Sequence, residues 1–222
     1  MKQEVFITGA TGYMGKRLVA ILLQGGYQVK ALVRRGSENK LPKVCASVIA
    51  NPFDEKTFVN EIPEGCTFVQ LLGVSHPGPK KKDLFRSIDF ASAKASALAA
   101  KEAGVSHFVY VSVAQTITSV MKDYQLCRAE AEEAILATGI KATFIRPWYV
   151  IGPGHYWPLL FQPVFKLLEW IPATSQKARA LRLVSLKQML AAIADAVKNP
   201  PAGNLRIIEI NEIREPKIAK TG

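Results

Sequence analysis

The sequence predicts an α/β fold built on a doubly wound parallel sheet. Short apolar stretches that fit buried strands alternate with helical stretches along the 222 residues, and the connections between them are short. A unit of strand, glycine loop and helix stands at the start of the chain. No change in composition marks a linker, so residues 1–222 are expected to form a single domain.

The first strand, predicted over residues 5–7, is followed by Gly9, Gly12 and Gly15. Glycines at this spacing permit a tight turn, a close approach of backbone N–H groups to a ligand, and close packing of the next helix on the strand. The first turn of that helix favours an anion because its N–H groups are unpaired. The pattern therefore predicts a site for a dinucleotide pyrophosphate. A glycine-rich turn that binds nothing is the alternative.

The second strand, predicted over residues 27–33, ends at Arg34 and Arg35. In a dinucleotide fold, an acidic residue at this point binds the ribose 2′-hydroxyl of NAD, whereas arginine pairs with the 2′-phosphate of NADP. No Asp or Glu stands there, so we expect NADP to be preferred over NAD. A solvated basic turn is the alternative.

The remaining elements continue the alternation. Further strands are predicted over residues 44–50, 66–72, 105–112, 141–145 and 205–210, with a short helix after residue 54 and longer helices over 82–103, 122–137 and 185–198. Residues 157–172 are apolar and aromatic, but prolines interrupt them. They predict short helical pieces, and residues 151–182 are expected to form a lid region on the substrate side.

Three polar residues fall where parallel strands end and a helix begins. Ser112 ends the predicted fifth strand, and Tyr124 and Arg128 lie four residues apart on the next helix, hence on one face. Ligands bind at this edge of open α/β sheets. A tyrosine, a serine hydroxyl and a cation beside a nicotinamide can protonate a carbonyl as hydride arrives. The structural alternatives are a surface tyrosine, a serine bonded to a turn, and an arginine paired with Glu132.

With these residues the chain resembles the short-chain dehydrogenase/reductase superfamily, in its extended and atypical, NmrA-like branch. The motifs that carry the resemblance are TGxxGxxG at residues 8–15, YVS at residues 110–112 and RP at residues 146–147. The resemblance covers nearly the whole chain. It implies a Rossmann-type fold with a small C-terminal substrate-side region.

The resemblance also implies which residues contact the cofactor and which are catalytic. The implied cofactor contacts are Gly9, Thr11, Gly12, Tyr13, Met14 and Gly15 in the loop, Arg34 and Arg35 after the second strand, Asn51 and Pro52 near adenine, Leu72 and Gly73 near the adenosine ribose, and Arg128, Pro147 and Tyr149 on the nicotinamide side. The implied catalytic residues are Ser112, Tyr124 and Arg128.

One departure from the family pattern matters for catalysis. The family's catalytic pair is YxxxK, and Arg128 stands in place of the lysine after Tyr124. Arginine keeps a positive charge near the tyrosine and donors for the ribose, but it stays protonated and cannot relay a proton. The resemblance implies an NADP-dependent oxidoreductase of a small carbonyl or alcohol. A non-catalytic sensor or scaffold that binds NAD(P), and an epimerase or dehydratase, are the alternatives.

Composition limits the expected partners. The formal net charge is +11, but the excess is spread along the chain and no nucleic-acid-binding motif accompanies it, so nucleic acid is not expected. No apolar run reaches the ~20 residues of a membrane span. Cys45, Cys66 and Cys127 match no disulfide or metal spacing, and the three histidines lie far apart, so no metal is expected. We expect a cytoplasmic protein without a signal peptide, a monomer or homodimer, that acts on an apolar small molecule.

Overall fold

The structure is a computed structural model, and it describes residues 3–75, 77–115, 121–154 and 183–215. The strands are β1 (Glu4–Thr8), β2 (Gln28–Val33), β3 (Ala46–Ile49), β4 (Thr67–Gln70), β5 (His107–Val111), β6 (Lys141–Arg146), β7 (Tyr149–Ile151), β8 (Leu183–Ser185) and β9 (Leu205–Glu209). The helices are α1 (Gly15–Gln24), α2 (Lys82–Leu84), α3 (Ala91–Glu102), α4 (Lys122–Leu136), α5 (Leu186–Lys198) and α6 (Ile210–Arg214). A π-helical segment, Phe85–Phe90, joins α2 to α3.

Seven of the described strands form one parallel sheet in the order β3-β2-β1-β4-β5-β6-β9. The strand order reverses between β1 and β4, which pair from Val5 with Thr67 to Thr8 with Gln70. In sheets of this kind, ligands bind beyond the carboxyl ends of the strands at such a reversal. The predicted fold class is confirmed, and the fold places the end of β1 beside the end of β4.

Helices cover both faces of the sheet because strand side chains alternate between the faces. On β1, Val5 and Ile7 belong to the apolar cluster that includes α1 and α5, whereas Phe6 belongs to the cluster that includes α3 and α4. In the second cluster the rings of Phe68 and Phe108 stack with their centroids 5.0 Å apart. The alanines of α3 are mostly buried there, so this helix faces its own sheet.

Helix α5 shows how local sequence fixes a helix start. The Ser185 hydroxyl accepts the backbone N–H of Gln188 at 3.2 Å, and the Gln188 side-chain oxygen accepts the N–H of Ser185 at 2.9 Å. This capping box satisfies two N–H groups that a helix end would otherwise leave unpaired. The same helix then buries its apolar face against the sheet.

The predicted strands and long helices agree with the structure to within two residues at each end. Three local differences appear. The helix predicted over residues 82–103 contains the π-helical segment, the short helix after residue 54 is a pair of 3₁₀ turns, and the parallel pairing of β7 with β8 was not predicted. Strands of three residues are too short to show an alternating pattern, and this pair joins segments that are distant in sequence.

Most of the predicted lid, residues 151–182, lies outside the described residues. The structure describes residues 151–154 of it and resumes at residue 183. Strands β7 and β8 pair on either side of that segment, from Tyr149 with Leu183 to Ile151 with Ser185. Among the helices in the described ranges, none combines the length and the apolar character needed to cross a membrane.

Candidate cofactor and catalytic cleft

A cleft of about 310 Å³ opens at the carboxyl edge of the sheet, where β1 and β4 end. It is lined by Gly9, Gly12, Tyr13, Met14, Gly15, Leu71, Gly73, Val74, Ser75, Pro77, Val111, Ser112, Val113, Tyr124, Arg128, Pro147, Trp148, Tyr149 and Val150. The glycine loop (residues 9–15) and the three catalytic candidates therefore share one cavity. Most of the other lining residues are apolar.

The glycine loop is shaped by contacts that only glycine permits. Gly9 has φ +71°, and a Cβ there would lie 2.7 Å from the backbone of Leu71 and of Leu72. A Cβ on Gly15 would lie 2.2 Å from the carbonyl oxygen of Gly9. The N–H of Gly12 donates to that same carbonyl at 3.0 Å and closes the turn. The absent side chains keep β1, the loop and α1 close together.

The N-terminus of α1 opens toward this loop without a competing negative group. No side chain caps the helix, and its first turn contains no acidic residue. A helix N-terminus in this state favours an anion, because the positive end of the helix dipole lies there. The glycine cradle and this helix end fit the pyrophosphate of a dinucleotide.

Arg34 and Arg35 follow β2 beside the glycine loop, since Leu32 pairs with Thr8. Both side chains are exposed, and neither forms an ion pair within the part of the chain that the structure describes. The N–H of Ser37 donates to the Arg34 carbonyl at 3.0 Å, which closes a turn after the strand. Two guanidinium groups are thus available to a phosphate at this edge.

The other predicted cofactor residues outside the cleft have local roles as well. The Asn51 side-chain oxygen accepts the N–H of Phe53 at 3.2 Å, and Pro52 is buried. The backbone of Leu72 lies against Gly9. Thr11, in the loop itself, is half-buried. For these four residues, as for those that line the cleft, a contact with the cofactor stays a prediction.

Ser112 lines the cleft at the end of β5. Its backbone N–H donates to the Ile145 carbonyl at 2.8 Å, which continues the pairing of β5 with β6. Its Oγ is buried and has no hydrogen-bond partner among the described residues. The alternative of a serine bonded to a turn is therefore wrong. A buried hydroxyl without a partner fits a position that a ligand oxygen completes.

Arg128 is buried and held on two sides. One terminal nitrogen, Nη2, forms an ion pair with the Asp89 carboxylate, and Nη1 donates to the Tyr110 hydroxyl and to the Val111 carbonyl at 3.0 Å each. The guanidinium carbon lies 5.1 Å from the centroid of the Tyr124 ring. Its Nε is buried without a partner in the described ranges. The arginine therefore presents a fixed charge to Tyr124.

The predicted alternative of an Arg128–Glu132 pair is wrong. Glu132, one turn further along α4, binds Arg146 instead, which donates from Nε at 3.0 Å and from Nη2. Arg146 also pairs with Glu209 of β9 at 3.1 Å. The spacing of four residues permits an Arg128–Glu132 pair, but each of the two side chains binds a different partner.

Tyr124 stands on the cleft wall, half-buried rather than on the surface, and its ring packs on Phe85 with centroids 4.9 Å apart. Burial raises the pKa of the phenol; the charge of Arg128 opposes this rise, and Asp89 adds to it. The net direction is upward, so the phenol is protonated near neutral pH. Burial lowers the pKa of Arg128, but Tyr110, Tyr124 and Asp89 raise it well above its ordinary value. The pair is thus a neutral acid beside a permanent cation.

Sequence reasoning missed the two side chains, Asp89 and Tyr110, that bind Arg128 in the described structure. Asp89 lies between the apolar residues Ile88 and Phe90, just before the alanine-rich helix α3, and Tyr110 precedes Val111 at the end of β5. The carboxylate was the available signal, because a charged residue on the sheet-facing side of a helix needs a partner. No set of three metal-ligating side chains converges within the described ranges, and the absence of a bound metal stays a prediction.

Known proteins are similar to this chain in sequence. A family model described as NAD(P)H-binding matches residues 9–152. A ceramide reductase of Caulobacter vibrioides is 26% identical over 213 residues, which are 95% of this chain and 65% of the relative. A UDP-glucose 4-epimerase of Vibrio cholerae is 25% identical over 92% of this chain and 69% of its own length. The chain thus spans less than two thirds of the ceramide reductase.

Solved structures confirm the fold. WbmH of Bordetella bronchiseptica, in complex with NAD⁺, superposes with a TM-score of 0.67 over 93% of this chain and 75% of WbmH, at 19% identity. The match to the family model runs from the glycine loop through β5 to the cleft segment after β6. The resemblance is confirmed as far as the NAD(P)H-binding family, to which the chain belongs.

Proposed function

We propose that the protein is an NADPH-dependent reductase of weakly polar carbonyl compounds, with Tyr124 as the proton donor. The observation that carries the proposal is that the glycine loop, Ser112 and Tyr124 line one cleft. Cofactor site and proton donor are then close enough to act on one substrate carbonyl. In this proposal, residues 1–222 form a single domain and residues 151–182 form its lid. The protein is cytoplasmic.

Each catalytic residue has a distinct role in this reduction. Bound NADPH supplies the hydride that reaches the carbonyl carbon. Tyr124 donates its phenolic proton to the carbonyl oxygen, and the product is an alcohol. Ser112 donates a hydrogen bond from its Oγ to that oxygen and orients it. Arg128 stabilises the phenolate that is left on Tyr124, which regains a proton from water in the cleft.

Arg34 and Arg35 support a preference for NADPH over NADH. Both are exposed beside the glycine loop. A guanidinium binds a phosphate with paired, charge-assisted hydrogen bonds, which a 2′-hydroxyl cannot match. The 2′-phosphate of NADPH would therefore add binding energy at this point.

The substrate class follows from the walls of the cleft. Val74, Pro77, Trp148 and Val150 line it beyond the glycine loop, so it offers few groups for binding a sugar hydroxyl. The similarity to a ceramide reductase also favours a lipid-like substrate. An apolar carbonyl compound thus fits better than a sugar nucleotide.

The first test is calorimetric titration of the cofactor-free protein with NADPH, NADP⁺, NADH and NAD⁺. We expect micromolar or tighter binding of the two phosphorylated forms, with the reduced form at least as tight as the oxidised form. A carbonyl screen that includes ceramide follows, with NADPH absorbance as the readout and Tyr124→Phe as the control. UDP-glucose forms a separate arm, since conversion of it without net loss of NADPH would indicate an epimerase. If none of the four nucleotides binds, the proposal is refuted.

A sensor that binds the dinucleotide without chemistry is the second candidate. The observation that favours it is the hold on Arg128, because both terminal nitrogens bind protein groups rather than standing free for a ribose. A sensor would prefer oxidised nucleotides and show no turnover with any carbonyl compound. Turnover that is lost in Tyr124→Phe would exclude it.

A further inference from the structure

Asp89 is fully buried, and its carboxylate has two partners. It accepts the Val74 N–H at 3.2 Å, and it forms the ion pair with Nη2 of Arg128. The exposed fraction of Asp89 is 0% and that of Arg128 is 7%. A buried pair of this kind is strongly disturbed when one partner is removed, because the other charge is then left unpaired. Without Asp89, the Arg128 side chain, which lines the cleft, would turn toward the solvent in the cleft.

The backbone on both sides is shaped to admit this pair. Asp89 lies in the π-helical segment Phe85–Phe90, a rare widening that is often found at functional sites. Across from it, a Cβ on Gly73 would lie 2.5 Å from Nη2 of Arg128 and 2.8 Å from Oδ1 of Asp89. Gly73, predicted as a cofactor contact, thus also leaves the space in which the pair meets.

The hold is specific to the shape of arginine. Nη2 reaches Asp89 on one side while Nη1 reaches Tyr110 and Val111 on the other. A lysine ammonium is a single centre on a flexible stem and lacks the two separate arms of the guanidinium. The carboxylate at position 89 and the arginine at position 128 therefore form a matched pair.

We propose that Asp89 is a positioning residue that holds Arg128 against Tyr124, so that Arg128 acts as a fixed charge on the proton donor. This inference rests on the proposed role of Tyr124. The departure from YxxxK then has a structural basis, because an arginine at position 128 can bind Asp89 and the end of β5 at the same time. Asp89 itself is not among the residues that line the cleft.

The test is the substitution Asp89→Asn, with the pKa of Tyr124 as the readout. Nuclear magnetic resonance of tyrosine labelled at Cζ follows the titration, and Tyr124→Phe identifies the signal. The charged and titratable groups that act on Tyr124 include Arg128, Asp89 and Cys127, together with Tyr110, whose own pKa Tyr124 raises. If Asp89 holds Arg128, its loss releases the cation and the Tyr124 midpoint moves to higher pH.

The opposite sign overturns the proposal. The negative charge of Asp89 by itself raises the pKa of Tyr124, so removing only that charge would lower the midpoint. A lower or unchanged midpoint in Asp89→Asn would show that Tyr110 and Val111 suffice to hold Arg128. Asp89→Glu is the second variant if Asp89→Asn does not fold, because it keeps the charge but moves the carboxylate. A raised midpoint there supports the proposal, and an unchanged one refutes it.

Glu132→Gln is the matched control. This substitution removes the buried carboxylate that pairs with Arg146 from the same helix, α4. Glu132 does not line the cleft. We expect a lower melting temperature without a shift of the Tyr124 midpoint; an equal shift would mean that general destabilisation moves it. Because the titration uses cofactor-free protein and no substrate, its failure is distinct from a failure of the reductase proposal.

Discussion

The guanidinium carbon of Arg128 lies 5.1 Å from the centroid of the Tyr124 ring. This contact places a permanent positive charge beside a phenol that lines the same cleft as Ser112. A charge at this distance stabilises the phenolate more than the phenol, and burial has the opposite effect. Tyr124 therefore starts as a neutral acid and is assisted when it gives up its proton.

Replacing Tyr124 with Phe should abolish most turnover and leave cofactor binding intact. The ring packing on Phe85 is kept, and only the proton donor is removed. General acid catalysis contributes roughly 10²- to 10⁴-fold, so we expect a loss of that size in kcat. Steady-state rates and calorimetric Kd values for NADPH measure the two effects. An unchanged rate would exclude Tyr124 as the acid.

Replacing Ser112 with Ala should lower turnover at almost no cost in stability. The Oγ has no partner among the described residues, so its removal breaks no internal hydrogen bond. A single neutral hydrogen bond is worth about 1 kcal/mol, which predicts a loss of about fivefold in kcat/KM. Thermal unfolding of the same sample should give the wild-type melting temperature. A large drop in melting temperature with unchanged kcat/KM would instead indicate a structural role.

The pH dependence of reduction should show a single fall at alkaline pH. Tyr124 must be protonated to donate, and its pKa is raised by burial beyond what Arg128 restores. The acid form is therefore fully populated at neutral pH and is lost only above the ordinary tyrosine pKa of about 10. Measurement of kcat/KM for the carbonyl substrate across this range tests the sign. A fall near neutral pH would mean that another group is the proton donor.

The sequence predicted the sheet and the glycine loop well because both depend on short-range patterns. Strands show runs of apolar residues, and the backbone contacts of Gly9 and Gly15 admit no other residue type. The positions of Ser112 and Tyr124 followed from where a strand ends and a helix begins. These features are readable residue by residue.

The partners of Arg128 could not be read in the same way. Spacing on one helix suggested Glu132, whereas the actual partner, Asp89, comes from a segment 39 residues earlier. That contact requires the π-helical segment and the missing side chain of Gly73, and neither has a periodic signature. Buried ion pairs between distant segments depend on tertiary packing, which a local pattern does not encode.

Substitution of Gly15 with Ala should abolish nucleotide binding. The new Cβ would lie 2.2 Å from the Gly9 carbonyl oxygen and 2.7 Å from Ala10, and both neighbours are backbone atoms that cannot rotate away. The loop must then deform or α1 must move off β1, so we expect loss of NADPH binding together with a lower melting temperature. Gly203→Ala is the control, since no atom lies within 4 Å of a Cβ there. Normal binding in Gly15→Ala would show that the loop does not hold the pyrophosphate.

The choice between NADPH and NADH should depend on Arg34 and Arg35. Both are exposed at the end of β2, so replacing them with alanine removes no packing or internal ion pair from the described structure. Hydrogen bonds to a charged group are worth about 1.5–3 kcal/mol, which predicts a loss of about ten- to a hundredfold in NADPH affinity and little change for NADH. Lys40→Ala with Lys43→Ala is the control, because it removes the same charge from exposed positions in the following loop. If the control weakens NADPH binding equally, the effect is general electrostatic attraction; equal losses for NADPH and NADH in the arginine variant would refute a 2′-phosphate site.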